Sequence, residues 1–383
     1  MQVCLEWLEA FQRNQHDDYW LGQHGEEIYH VIQQSLASPP KFDIATELLV
    51  KAFPYYALNR LDITRWVNLL IDAMLVAQEL GDIGLRTRLM EHIGSGRLAE
   101  GHFDTAHFAY LYVLEHAHDC DNPDIELSAH TGLIWLQTIN QGKPSSHNET
   151  VIENALQLAQ VAKNPAAIAR LHHALTSVYT QQQYLEKAFQ FGQMAYVHWH
   201  VANNKIEQAK TAYSLAAVYR MMNRFELADA YLEIAEDVFS RTNYRRQYAL
   251  TIYERGVLRW KQEKYEEAAQ WLELAWKEAV VVGINFYIAA AAHILGRVYL
   301  KLGDLDKARE SLKSAALIWD ELDNKYEQTS VMCHFIRLER LGGNLEAARE
   351  WGIQARLTCT QIPQEHLRKE MEAYIEEVET VTE

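Results

Sequence analysis

"LGRVYLKLGDLDKARESLKSAALIWDEL" runs from Leu295 to Leu322. Gly296, Tyr299, Gly303, Ala308, Leu312 and Ala315 stand in it at offsets that recur elsewhere in the chain. Two apolar stretches of helical period flank the short Gly303–Asp304 turn, so the segment predicts an antiparallel helix pair. Moved by forty residues, the stretch matches itself. Alanine recurs at Ala188, Ala228, Ala268, Ala308 and Ala348, and again at Ala195, Ala235, Ala275, Ala315 and Ala355. A bulky apolar residue stands three places before the first column, at Leu185, Phe225, Tyr265, Leu305 and Leu345. Helices approach closely only where side chains are small, and alanine allows that without losing helix propensity. The bulky residue is expected to fill the wedge where the turn meets the second helix. With 17 Gly and 7 Pro in 383 residues, and no sustained period-two run of Val, Ile and Thr, the reading is helical throughout.

This spacing resembles the tetratricopeptide repeat: Leu295, Gly296 and Tyr299 on a first helix, then Ala308, Leu312 and Ala315 on a second. The resemblance covers residues 165–360 clearly. It departs in a period of forty instead of thirty-four, and in losing the tyrosine at Arg259 and Glu339. Long repeats of this kind are similar to those of bacterial regulators, the peptide-sensing Rap-type proteins and the MalT-like ATPase regulators. The resemblance implies an all-α, right-handed superhelical solenoid of antiparallel pairs, with roughly 16–19 helices.

The expected organisation has four parts. Residues 1–90 hold N-terminal helical pairs of weak register, with helices ending at Pro39-Pro40 and a pair over 42–80 turning near Pro54 and the "LNRLD" segment. Residues 91–163 hold degenerate repeats, with Gly94 and Ala106 in register and a longer turn at Gly142 to Asn148. Residues 164–361 hold five clear repeats. Residues 362–383 form a capping helix with a charged face, which closes the apolar end of the array.

Composition bounds the function. Hydrophobic residues are 49% and charged residues 23%, as in ordinary folded proteins. No apolar run reaches the ~18 residues needed to cross a bilayer, and "MQVCLEWLEAFQRN" lacks the basic start of a signal peptide. Cys4, Cys120, Cys333 and Cys359 form no CxxC pair and suit a reducing, cytoplasmic setting. The net charge of −16 disfavours nucleic acid as a partner.

In the repeat family the first helix of each pair lines a concave surface, and the resemblance implies that repeat positions 2, 5, 9, 12 and 13 point into it. Arg170, Lys210, Arg220, Lys261, Arg297, Lys301, Arg337 and Arg340 occupy such positions, and no Asp or Glu does, although the chain has 52 acidic residues. His173, Tyr213, Tyr253, Trp260 and His293 add rings to the same positions. The acids crowd the second helices, as in "KYEEAAQWLELAWKEA". A basic, aromatic-dotted groove suits an acidic segment of a partner, because arginine offers carboxylates a fork and aromatic rings add rigid contact area. An acidic segment of the chain itself would also fit. The competing explanation is that first helices carry Lys and Arg for solubility.

Catalytic and metal signals are weak. His116 and Cys120 in "LEHAHDCDNPD" are one helical turn apart, with His118, Asp119 and Asp121 nearby, but this is where a second helix ends and such residues serve as caps. His198 and His200 point to opposite faces. His173 and Ser177, four residues apart, are placed to touch, yet no oxyanion hole or nucleophile turn accompanies them. "GSGR" at Gly94 to Arg97 is no phosphate loop. Trp260, Trp271, Trp276 and Trp319 fall at helical spacing and read as core and not as cofactor contacts. There is no Walker motif and no basic helix-turn-helix in residues 1–60. The expectation is a protein that is not an enzyme, needs no cofactor, and is a scaffold or adaptor within a larger assembly that binds an acidic peptide segment. The alternative is a peptide-sensing regulator that changes superhelix pitch.

Overall fold

A computed structural model describes residues 2–15, 18–56, 63–120, 123–139, 146–242 and 244–380. Among these residues the regular elements are all helical. The chain divides into two units, Met1–Val218 and Tyr219–Glu383.

The first unit opens with α1 (Gln2–Asn14), α2 (Asp18–Leu36), α3 (Phe42–Tyr56) and α4 (Ile63–Glu79). Pro39 begins a short 3₁₀ turn, and Pro54 sits in the last turn of α3. The "LNRLD" segment expected at the α3–α4 turn and the 142–145 part of the later turn lie outside the described residues. Next come α5 (Ile83–Ala99), α6 (Phe103–His116), α7 (Pro123–Ile139), α8 (Ser146–Val161), α9 (Pro165–Gln181) and α10 (Leu185–Val201). Phe11, Ile28, Leu48, Phe53, Leu70 and Leu89 are fully buried in one core that reaches α9. The division between the units falls inside α11 (Lys205–Met221).

The second unit continues with α12 (Phe225–Ser240), α13 (Arg245–Lys261), α14 (Tyr265–Val282), α15 (Asn285–Leu302), α16 (Leu305–Glu321), α17 (Lys325–Leu341), α18 (Leu345–Cys359) and α19 (Glu365–Thr380). In α13–α14, α15–α16 and α17–α18 each first helix packs on its own second helix, and each second helix leans on the next first helix.

The alanine columns are where helices meet. Ala188, Ala228, Ala268, Ala308 and Ala348 are buried, and so are Ala195, Ala235, Ala275, Ala315 and Ala355. A Cβ on Gly296 would stand 2.6 Å from Leu312 Cδ2, which explains the glycine. The bulky column is half-buried at Leu185, Phe225, Tyr265 and Leu305, as the wedge requires. Leu345 departs from it at 61% exposure. Trp319 and Leu312 are fully buried, each contributing about 2–3 kcal/mol of apolar burial.

The turns repeat as strictly as the helices. The amide five residues on closes each first helix: Tyr184 to Tyr179, Arg224 to Tyr219, Lys264 to Arg259, Asp304 to Tyr299 and Asn344 to Glu339. The residue just before that amide is left-handed at Gln183, Asn223, Glu263, Gly303 and Gly343. At the N-termini of the first helices, Asn164 and Asn324 accept from the amides of Ala166 and Glu327, and Asn204 accepts from Glu207.

Candidate functional site

In the first unit the expected residues lie on α9 and α11. Arg170 is exposed, while His173, Lys210 and Tyr213 are half-buried. His173 Nε2 lies 2.9 Å from Ser214 Oγ. Burial, helped by Lys210 and opposed by Glu207, pushes the imidazole down to about 4. Lys210 Nζ donates to Glu207 Oε1 at 2.6 Å. Burial pushes the Glu207 carboxyl up, but Lys210, His173 and Arg170 together outweigh it and the net direction is down. On α5, burial works against Glu91 in the same way, and His92, Ser128 and Arg170 hold its carboxyl at about 2. Lys210 therefore meets a carboxylate of its own helix, and His173 a hydroxyl of the next first helix.

In the second unit Arg220 Nε donates to Glu254 Oε2 at 3.0 Å. Tyr253 meets Tyr287 edge-on with ring centroids 5.2 Å apart, and burial raises its phenol. Lys261 and Lys301 are exposed. His293 is buried, its Nδ1 3.2 Å from Glu327 Oε2. Arg297 lies over the ring of Trp260, 5.0 Å from its centroid. Arg337 pairs with Glu377 at 3.4 Å and lies 5.3 Å from the Tyr374 centroid. Arg340 donates to the main-chain carbonyls of Val378 and Glu379, both at 2.8 Å.

These contacts correct three expectations. The face is not free of acid: Glu254 stands one place after a sampled position, and Glu207 and Glu327 stand three places before the first sampled position of their helices. Glu207 and Glu327 each follow a capping asparagine by three residues, at the capping-box position, so Asn204-x-x-Glu207 and Asn324-x-x-Glu327 were the signals that would have placed them. Second, His173 does not couple to Ser177 by its side chain. It bonds Ser214, and Ser177 Oγ donates instead to the His173 carbonyl at 3.5 Å. Third, Arg337 and Arg340 are engaged by the acidic α19, whose Met371, Ile375 and Val378 are buried against Cys333, Ile336 and Ala355.

Elsewhere, His116 stacks on Tyr112 and Cys120 Sγ donates to the Gly84 carbonyl at 3.5 Å, so the two do not converge. Asp121 lies outside the described residues, and among those described no three His, Cys, Asp or Glu side chains gather as metal ligands. Trp319 is core as expected, whereas Trp271 is half-buried beneath Arg255. Sequence reasoning missed His334 on α17, 3% exposed, with its ring centroid 5.1 Å from that of His293. It stands one place after the sampled fifth position, where no repeat column drew attention to it.

No helix among the described residues is long and apolar enough to cross a membrane. Residues 289–318 match the tetratricopeptide repeat family. No curated protein matches the sequence. Among solved structures, a Rap protein complexed with competence and sporulation factor is similar at 13% identity and TM-score 0.58, over 97% of this chain and 98% of that one. The apo form of RapI is similar at 13% identity and TM-score 0.54, over 80% and 79% of the two chains. Aspartyl phosphate phosphatase F from Bacillus subtilis is similar at 13% identity and TM-score 0.52, over 87% and 93%. At such identity the likeness is one of fold.

Proposed function

We propose, from the premise that this chain is a tetratricopeptide-repeat protein, that it is a non-enzymatic interaction scaffold whose first-helix face binds an acidic segment of a partner protein. The observation that carries this reading is α19. An acidic helix of the chain itself lies on α17, with Glu377 on Arg337, Glu370 accepting from Tyr326, and its C-terminal carbonyls on Arg340. The negative end of a helix dipole and its carboxylates thus already meet this face. A partner's acidic segment would use the same chemistry on α13 and α15, where Lys261 and Lys301 are exposed. The site residues offered are those of the sequence reading, with Arg337 and Arg340 serving the internal helix.

The test is affinity capture with the whole chain and with a Lys261→Glu, Lys301→Glu variant. Both positions are exposed, so the variant keeps its fold, whereas reversing Arg337 or Arg340 would detach α19. A partner with an acidic segment should be held by the first bait and lost from the second. Equal capture by both would refute the reading. A second reading, a regulator that changes superhelix pitch on binding a small peptide, takes its support from the neighbour solved with competence and sporulation factor. It requires measurable compaction in small-angle scattering on adding a peptide.

A further inference from the structure

We infer that His172 and His198 form a two-imidazole seat for a divalent d-block ion such as zinc, which ties α9 to α10 and is independent of the acidic-segment reading above. His172 is on α9 and His198 on α10, the two helices of the first clear repeat. At the same two positions the later repeats hold Ala212 and Val238, Ile252 and Glu278, Ala292 and Ile318, and Met332 and Thr358. The contact between first and second helix therefore needs no pair of polar rings, and only this repeat places two ligating side chains there. Ala169, Ala188, Ala195 and Trp199 are buried between and beside the two helices, so both rings are carried on closely packed backbone.

The ring geometry fits one ion. The imidazole centroids are 5.4 Å apart and the planes are tilted at 45°, not stacked. An imidazole nitrogen lies about 2.0–2.1 Å from a zinc ion and about 1 Å from its own ring centre, so two rings on one tetrahedral ion stand about 5 Å apart. His172 is 8% exposed, and its Nδ1 is buried without a hydrogen-bond partner in the protein. Buried ring nitrogens are normally paired. Phe191, the other ring against His172 at 5.7 Å, offers nothing to that nitrogen. His198 is half-buried, so the seat is reached from solvent on its side. Among the described residues no third ligating side chain joins the pair, and water completes the shell of the ion.

Charge selects this pair over the other close one. His293 and His334 stand 5.1 Å apart and also carry unpaired buried nitrogens. Arg297 and Arg337 act on His334, however, and two guanidinium groups would repel a dication. The one titratable group that acts on His172 is His198 itself, so no lysine or arginine opposes a cation there. Two nitrogen donors without a carboxylate exclude calcium and magnesium, which take oxygen ligands, and suit zinc, copper or nickel.

The test is a titration of the full, untagged chain with zinc chloride near pH 7, after removal of metals with a chelator. Affinity is read by calorimetry, and the site by the histidine rings in 15N NMR. The rings of His172 and His198 should shift together at the first equivalent, and zinc should raise the urea midpoint, because an ion that binds the folded chain stabilises it by mass action. His198→Gln changes a half-buried residue and should keep the fold while weakening zinc at least about tenfold. His172→Ile, which installs the residue of the third repeat, should do the same. His200→Gln, on an exposed residue of α10, should leave zinc binding unchanged. Copper(II) should bind more tightly than zinc, and magnesium not at all. Zinc affinity equal in His198→Gln and the wild type would overturn the seat, whether or not His172→Ile folds. So would an equal loss in His200→Gln, which would mean adventitious binding to surface histidines only. Rings of His172 and His198 that stay unmoved while zinc binds would overturn it without recourse to any variant.

Discussion

The two units carry basic and aromatic residues on their first helices at partly different repeat positions, Arg170 and Lys210 in one column and Arg297 and Arg337 in another, and treat them differently. On α9 and α11 the histidine and lysine are met by local partners, Ser214 for His173 and Glu207 for Lys210. On α15 and α17 His293 is likewise met, by Glu327, whereas Arg297 and Arg337 stand in a column that holds Ser177 and Ala217 in the first unit, and Arg297 has only an aromatic face. A cation on a repeat face says little by itself. What identifies a candidate site is the failure of neighbouring helices to neutralise it, since proteins otherwise pair buried charge.

The largest expected effect is acid sensitivity, and both units contribute to it, His172 and His173 in the first and His334 in the second. His172 and His173 are both pushed down to about 4, chiefly by burial, with His198 adding to the first. Between pH 6.5 and 4 the unfolded chain holds protons that the folded one refuses. Stability is therefore full above pH 6.5 and falls as pH drops, by about 1.4 kcal/mol per pH unit per histidine at most. Below pH 4.5 Glu91, held at about 2, continues the decline by the carboxylate route. Urea midpoints measured from pH 7 to 4.5 should drop steadily, and His173→Gln should flatten the slope. A flat profile in the wild type would mean that these rings are not buried neutral.

Next in size is a pair of like substitutions with unlike outcomes. Lys210→Met strands Glu207 and should lower stability by about 1–3 kcal/mol. Arg297→Met removes a desolvated cation that has no carboxylate within ion-pair distance, and should leave stability unchanged or raise it by up to about 1 kcal/mol. Equal losses from both substitutions would erase the contrast between the units.

The fold was legible because alanine and glycine columns report helix approach directly, and Ala308 or Gly296 leaves no alternative use. The face was legible only in part. Sampling fixed positions found Arg297 and Trp260 but passed over Glu254 and His334, because a helix face is wider than one column and its partners come from adjacent helices. The lost tyrosines were legible as departures and not as replacements. Tyr299 donates its hydroxyl to Glu273 on the preceding second helix. Arg259 reaches Asp229 at 2.8 Å, and Glu339 accepts from Arg309, so the same two columns hold an ion pair with its signs exchanged. Only the assembled structure shows which column each replacement answers to.

That exchange gives a smaller prediction. Glu339→Arg alone should cost about 1–2 kcal/mol, since it sets two guanidinium groups together at a buried position. Adding Arg309→Asp should recover most of the loss, because it recreates the Arg259–Asp229 arrangement one pair of repeats away. Strictly additive urea midpoints in the double variant would show that the two columns do not interact.

The smallest effect concerns turns that are identical in shape and unlike in residue. Glu263 and Gly303 both adopt a left-handed backbone, at φ 60° and 77°, and both follow a first helix closed by the same bond. Glycine takes this conformation freely, whereas glutamate meets its own Cβ there, at about 1 kcal/mol. Glycine in turn gives the unfolded chain more freedom, which offsets part of any gain. Glu263→Gly should therefore raise stability by about 0.5 kcal/mol and Gly303→Ala lower it by about 1 kcal/mol. Matched urea titrations at pH 7 resolve both. A loss from Glu263→Gly would mean that the side chain, and not its backbone, is what this turn selects, and the second unit would then owe something to Glu263 that its left-handed geometry does not explain.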